Sequence, residues 1–355
     1  MDNKIFYEIN GVRYEGVTSF QATNSMVEFG KSFSISITVN SEIAPSLISV
    51  KSQDEIKIYI DNTLILTGFI ISRNISYDSS SHVITFEGSD KATDLIDSDI
   101  IQKSYKIRNF TKLVSQVLQD NGYNLKVINK VADIKLLNEK EEVNTENGET
   151  IINFLFRYAQ KLQVLLTTDK DGNIIITREY ELGTIGSVIN DLNGENNNIL
   201  SASINETTKD RFNIVEVFSQ DTNDFHTEQA SDQKGSSIDS QVRSPRRKRI
   251  VFSDPTTSDF LNEYAKWFVN VKKAKGKVYK VKVQGYYGGT GEVWTPNNLI
   301  QVRDVFAGLD GEFLIQDVIY YKSLNGSFTD MVIVEKGSLS LKPSLSDLIS
   351  NSGLI

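Results

Sequence analysis

Strict alternation opens the chain. From Ser32 to Asn40, the residues Phe33, Ile35, Ile37 and Val39 fall on one face and Ser34, Ser36 and Thr38 on the other. A period of two predicts a half-buried strand. Ile56, Ile58 and Ile60 repeat the pattern, and Asp61-Asn62 between two apolar runs predicts a two-residue hairpin turn. Asp78-Ser79-Ser80-Ser81 predicts another, followed by alternation through His82, Ile84 and Phe86. Short strands joined by polar turns favour a small barrel or sandwich.

The period then changes. Leu113, Val114, Val117 and Leu118 share a helical face after a cap at Asn109 or Thr111, and Asn121-Gly122 stops the run. Ile151, Phe154, Leu155, Tyr158 and Leu162 form a second helical stripe opening at Thr150. Val164–Thr168 and Ile174–Arg178 predict a hairpin closed by Asp169-Lys170-Asp171-Gly172-Asn173. Gly183 to Asn198 reads as a linker. Strands return at Ile199–Ile204 and Phe212–Phe218, and a polar, period-free stretch from Asp221 to Arg249 reads as a mobile loop. Pro255 to Lys275 is an amphipathic helix with Phe260, Leu261, Tyr264, Trp267, Phe268 and Val271 inward. Strands then follow at Val278–Gln284, Leu299–Val305, Glu312–Tyr321 and Met331–Lys336.

The expected fold class is therefore α+β and mainly β, with two small β-barrel domains of similar topology and an α+β insert domain. The boundaries are 1–94 for the first barrel and 95–190 for the insert. The second barrel takes 191–340, with the mobile loop 221–249 and the helix 255–275, and a tail covers 341–355. The first interior is assigned to Phe33, Ile35, Ile37, Ile56 and Ile58, and the second to Val281, Val283, Ile300, Val302, Ile315 and Ile319.

Composition narrows the chemistry. The 355 residues contain no cysteine, which excludes disulfides and thiolate chemistry, and only two histidines, His82 and His226. No apolar run approaches the roughly 18 to 20 residues of a membrane helix. The first residues lack the basic start and apolar core of a signal peptide. Asp169, Asp171 and Asn173 mimic the start of a calcium loop, but Ile174 and Tyr180 stand where such a loop needs Gly and Glu. Gly288, Gly289 and Gly291 lack the Gly-Lys-Ser/Thr ending of a phosphate loop, and Trp294 reads as a core residue. No catalytic residue, metal ligand or cofactor-binding residue is assigned.

One basic cluster stands out: Arg243, Arg246, Arg247, Lys248 and Arg249. It reads as a solvated loop, as a grip on an acidic protein face, or as a nucleic-acid contact. A net charge of −8 and the lack of adjacent aromatic residues weigh against the last.

Several segments, in order, resemble the Mu-type phage baseplate hub family, related to the late-control D and T-even hub proteins. They are Phe29-Gly30-Lys31-Ser32-Phe33-Ser34-Ile35; Leu66-Thr67-Gly68 within Asp61–Phe69; Glu87-Gly88-Ser89-Asp90-Lys91-Ala92-Thr93-Asp94-Leu95; Gly148-Glu149-Thr150; Asp171-Gly172-Asn173; and Trp294-Thr295-Pro296-Asn297 before Leu299-Ile300-Gln301-Val302. Ser89 departs from the Arg expected there. The resemblance spans about residues 15 to 340 and implies a non-enzymatic structural subunit of a contractile tail. It implies a homotrimer that joins a hexameric tail tube, with other baseplate proteins, to a trimeric membrane-piercing spike. Two similar barrels per chain would supply six docking surfaces, about sixty degrees apart. A structure in which the two blocks do not superpose, or merge into one sheet, would sink that mechanism even in a tail component. No stable nucleic-acid binding is expected, although DNA can pass through the central channel, whose walls should be neutral or acidic. Assembly would occur in the bacterial host cytoplasm. The competing readings are a tail-associated peptidoglycan hydrolase and a β-sandwich carbohydrate-binding adhesin.

Overall fold

A computed structural model describes residues 3–39, 47–137, 142–179, 183–191, 194, 196–219, 233–252 and 256–343. His226, the first part of the expected mobile loop and most of the expected tail lie outside these residues.

The first lobe contains β1 (Ile5–Ile9), β2 (Val12–Tyr14), β3 (Val17–Ser25), β4 (Lys31–Thr38), β5 (Glu55–Ile60), β6 (Thr63–Tyr77) and β7 (His82–Asp90). Its strands follow the alternation of the sequence, and Phe33, Ile35, Ile37, Ile56 and Ile58 are all buried. The insert holds α1 (Asp94–Asp97), β8 (Ser104–Tyr105), α2 (Phe110–Asp120), β9 (Val127–Asn129), β10 (Val143–Asn144), α3 (Ile151–Lys161), β11 (Leu165–Thr168) and β12 (Ile174–Thr177). Asn109 caps α2 by accepting from the Lys112 amide at 3.0 Å, and Leu113, Val114, Val117 and Leu118 are buried against α3 and the hairpin. Residues on either side of the insert then return to sheet.

The second lobe contains β13 (Thr184–Asn190), β14 (Ile199–Glu206), β18 (Lys277–Gln284), β19 (Leu299–Asp304), β20 (Leu309–Ser323) and β21 (Gly326–Val334). Between β14 and β18 lie β15 (Ile214–Ser219), β16 (Gln233–Ile238), β17 (Arg247–Phe252) and α4 (Ser258–Lys275). These four form a separate three-stranded sheet packed against one helix, with Val215, Val217, Phe260, Leu261 and Ala265 at its centre.

The two lobes are alike strand for strand. The first is ordered β3-β4-β7-β6-β5-β1 and the second β14-β18-β21-β20-β19-β13. With β2, which only extends the first lobe beyond β1, left out of the count, that is one and the same order along the chain. The irregularities coincide as well. One bulge lies at Val17/Ser19 against β4 and at Ile199/Ser201 against β18. A second lies at Ile70/Ser72 against β7 and at Ile315/Asp317 against β21. The long central strands, β6 and β20, each have 15 residues. The lobes differ at one end, where β1 runs antiparallel to β5 but β13 runs parallel to β19.

Three expectations are corrected. The chain is mainly β, but the lobes are not two separate closed barrels. β3 pairs with β20 from Ser25↔Asp317 to Phe20↔Lys322, which joins both lobes into one 13-stranded sheet over a continuous core. Among the described residues no hydrogen-bonded ladder closes either lobe. Ile319 is only half-buried, because the bulge at Ile315/Asp317 shifts the alternation and turns Val318 and Tyr320 inward. Part of the supposed linker, Thr184–Asn190, is β13, held parallel to β19.

The insert docks on the first lobe through buried charge. The Asp90 carboxylate accepts from the Lys31 amide at 3.1 Å and from the Thr93 hydroxyl at 2.8 Å, and the Thr168 hydroxyl also donates to it. The Lys31 ammonium donates to the Asp169 carbonyl at 2.6 Å. Burial pushes the Asp90 pKa up and the Lys31 pKa down, each partly opposed by the other's charge. At the hairpin tip, a Cβ on Gly172 would lie 2.9 Å from the Lys91 side chain, so the close approach requires glycine. Asp90→Ala would leave Lys31 buried with its charge partner removed, at a cost of about 3–5 kcal/mol. Urea unfolding should show that loss, with Thr168→Val costing about 1 kcal/mol.

Candidate interaction surface

The basic cluster is a strand and its preceding turn, not an irregular loop. Residues 233–238, inside the expected mobile loop, and 247–252, which begin at its end, flank β15 as β16 and β17. Parallel pairing sets Glu216 opposite Arg249, and β16 places Ser236 on its other side. Arg247 and Arg249 project from the same face of β17 toward Glu216, at 3.5 Å and 3.3 Å. Lys234 completes the group, donating to Glu216 at 2.7 Å. Three cations therefore surround one carboxylate, which is itself buried beneath them. The hydrogen bond from Lys234, helped by Arg249 and Arg247, holds Glu216 below the usual carboxylate range.

The other members are placed differently. Arg246 donates to the carbonyls of Thr208 and Lys209, at 2.8 Å and 2.7 Å, and lies over the Phe212 ring. It therefore braces the entry to β15. Lys248 also sits over Phe212, on the opposite face of β17 from Arg247 and Arg249. Arg243 is exposed in the turn before β17. The sequence reading missed Lys234 and Glu216, which lie 18 residues apart and meet only through the β15–β16 pairing. The surface keeps excess positive charge and offers hydrogen-bond donors, a chemistry suited to carboxylates on a protein partner.

The remaining motifs resolve into packing. Asp169 Oδ1 accepts from the Asp171 and Asn173 amides, each at 2.8 Å, so the calcium-like segment is a hairpin turn. Trp294 is buried, and a Cβ at Gly186 or Gly288 would press on its ring. His82 stacks on Tyr77. A cavity of about 300 Å³ lies between the lobes and the insert hairpin, lined by Lys31, Thr168, Asn297 and Tyr320 among others. Several of its polar side chains are bonded within the protein: Asn297, for example, donates to the Arg178 carbonyl at 2.8 Å, and Lys31 to the Asp169 carbonyl at 2.6 Å. No group of three or more His, Asp or Glu side chains is arranged to hold a metal among the described residues.

Glu216 also gives a pH signature. Its folded pKa lies below the unfolded value, so its ion pairs contribute stability above the carboxylate range and lose it as pH falls through the folded pKa. Glu216→Gln should lower the thermal midpoint at pH 7 by a small amount, since the cations are largely solvated. The difference from the unsubstituted chain should vanish toward pH 3, as read by scanning calorimetry.

Comparison with known proteins matches this architecture piece by piece. Residues 4–90 match the family described as Mu phage baseplate assembly protein GpP-like, N-terminal. Residues 92–178 match Baseplate hub protein gp44-like, second domain, and residues 257–341 match Mu phage baseplate assembly protein GpP, fourth domain. The chain is 23% identical over 310 residues to the baseplate hub protein gp44 of Escherichia phage Mu, covering 85% of this chain and 79% of that protein. It is also similar to the 43 kDa tail protein of prophage MuSo2 from Shewanella oneidensis, with 25% identity and a TM-score of 0.79 over 94% of this chain and 99% of that one. The tail protein from Neisseria meningitidis MC58 shares the fold, at 18% identity and a TM-score of 0.77 over 95% of this chain and 98% of that one. The chain belongs to the Mu-type phage baseplate hub protein family.

Proposed function

We propose that three copies of this hub subunit form a ring that adapts a hexameric tail tube to a trimeric, membrane-piercing spike. The observation that carries the reading is the duplicated lobe. One strand order and two matching bulges recur in a single chain, so three chains supply six nearly equivalent lobes. The lobes do merge into one sheet through β3 and β20, the outcome set above as fatal to an adapter of two separate barrels, and the mechanism is proposed here in a different form that needs only two like lobes in each chain. Likeness of the lobes, which the adapter does need, remains.

The role is structural and non-catalytic: a symmetry adapter works through complementary surfaces. Its channel takes DNA in transit and holds none. Assembly takes place in the host cytoplasm. Arg247 and Arg249 on one face of β17, with Arg243 in the preceding turn, contact an acidic face of another baseplate protein, while Arg246 and Lys248 of the same cluster pack over Phe212. A closed ring requires a heterologous interface that returns on itself. Light scattering of the purified chain should give three times the chain mass, alone or when spike is added. A stable dimer under all conditions would contradict the adapter.

A further inference from the structure

The duplicated lobes have one unequal feature. In the first lobe the outer strand β3 is covered, because it pairs with the second half of β20. Its counterpart β14 pairs only with β18 among the described residues, and its burial is slight throughout. Likewise, β20 is paired along its second half, whereas β6 is not. β5 covers β6 from Thr63 to Phe69, and residues 72–77 have β7 on one side and no strand on the other among the described residues. Among the described residues these two edges are unmatched, and each is the counterpart of an edge matched inside the chain. Open edges carry unpaired backbone donors and acceptors and invite a further strand.

We infer that β14 of one copy pairs with residues 72–77 of β6 in a second copy, in the register that β3 and β20 use within the chain. The inference rests on the ring reading above and supplies its interface. The two bulges fix the correspondence. Val17/Ser19 aligns with Ile199/Ser201, and Ile70/Ser72 aligns with Ile315/Asp317. Ser25↔Asp317 then becomes Thr207 opposite Ser72, and Asn24↔Val318 becomes Glu206 opposite Arg73. Ala22↔Tyr320 becomes Ile204 opposite Ile75, and Gln21↔Tyr321 becomes Ser203 opposite Ser76.

Side chains on the two edges fit this register. Ile75 is 45% exposed and Ile204 is half-buried, whereas their counterparts Tyr320 and Ala22 are buried in the junction inside the chain. A large–small pair within the chain becomes two medium aliphatic side chains between copies. Arg73 donates through one terminal nitrogen to the Val50 carbonyl at 2.7 Å, but its Nε is buried with no partner. The register sets Glu206, which within the chain pairs with Lys277 at 2.8 Å, opposite that arginine, so the carboxylate would be shared between the two cations. Repeating the junction between copies would make every lobe-to-lobe contact in the ring alike.

Cysteine pairing tests the register, because the chain has no thiol of its own. Ser76 and Ser203 are both exposed, so substitution should leave the fold intact, which circular dichroism checks. Opposed residues on antiparallel strands have Cα atoms about 4.5–5.5 Å apart, within disulfide reach. Mixing Ser76→Cys chains with Ser203→Cys chains under mild oxidation should give a covalent dimer on a denaturing gel. The double variant should give a covalent trimer. Ser72→Cys mixed with Ser203→Cys is displaced by about 13 Å along the strand and should not cross-link. A trimer by light scattering that forms no Ser76–Ser203 cross-link, or that prefers the displaced pair, would overturn the register and leave the ring reading standing. A chain that is monomeric with and without spike would overturn both.

Discussion

The pairing of β3 with β20 holds the molecule together. The outer strand of each lobe is an open edge, with a row of backbone donors and acceptors that must find partners. Inside the chain one of these edges is satisfied by the long strand of the other lobe, from Ser25↔Asp317 to Phe20↔Lys322. That ladder brings Ala22 over Tyr320 and merges the two interiors, so side chains from Ile5 to Ile333 form one core. Neither lobe is a complete barrel. The first lobe's open edge, β3, is covered by the second lobe's long strand β20, whereas the second lobe's, β14, pairs only with β18 among the described residues.

The insert depends on a different physics. It has its own apolar core around α2, α3 and the β11–β12 hairpin, and it meets the first lobe through the Asp90, Lys31 and Thr168 cluster. Such a contact fixes orientation more than it adds stability, because desolvating the two charges offsets most of their attraction. The small basic sheet is likewise organised by one carboxylate, Glu216, among Lys234, Arg247 and Arg249. Polar chemistry in this chain therefore positions elements and dresses surfaces. The surfaces are where its work as a hub component is done.

The sequence made some of this legible. Ser32–Thr38 and Glu55–Ile60 alternate so regularly that strand, face and buried residues all followed, and cap candidates at Asn109 or Thr111 and at Thr150 marked α2 and α3, while the single turn α1 carries no such signal. Ile319 was assigned inward because alternation was extended through a bulge that no residue announces. β13 is hidden in a stretch rich in glycine and asparagine, and its partner β19 lies more than a hundred residues away. β16 and β17 carry mostly polar residues on a thin sheet, so periodicity had little apolar signal to work with. The duplication was visible only as two blocks of strands. Phe33 corresponds to Tyr279 and Gly88 to Ile333, so residue identity is lost while hydrogen-bond register persists.

The central claim is that two lobes of one chain are equivalent units of a larger ring. Electron microscopy of the purified assembly, viewed down its axis, tests it most directly. Rotational averaging should show three strong repeats from the inserts at the periphery, with six similar lobes around the channel, alternating between junctions within and between chains. Three lobes around the channel, or a ring in which the second lobe points away from it, would contradict the account.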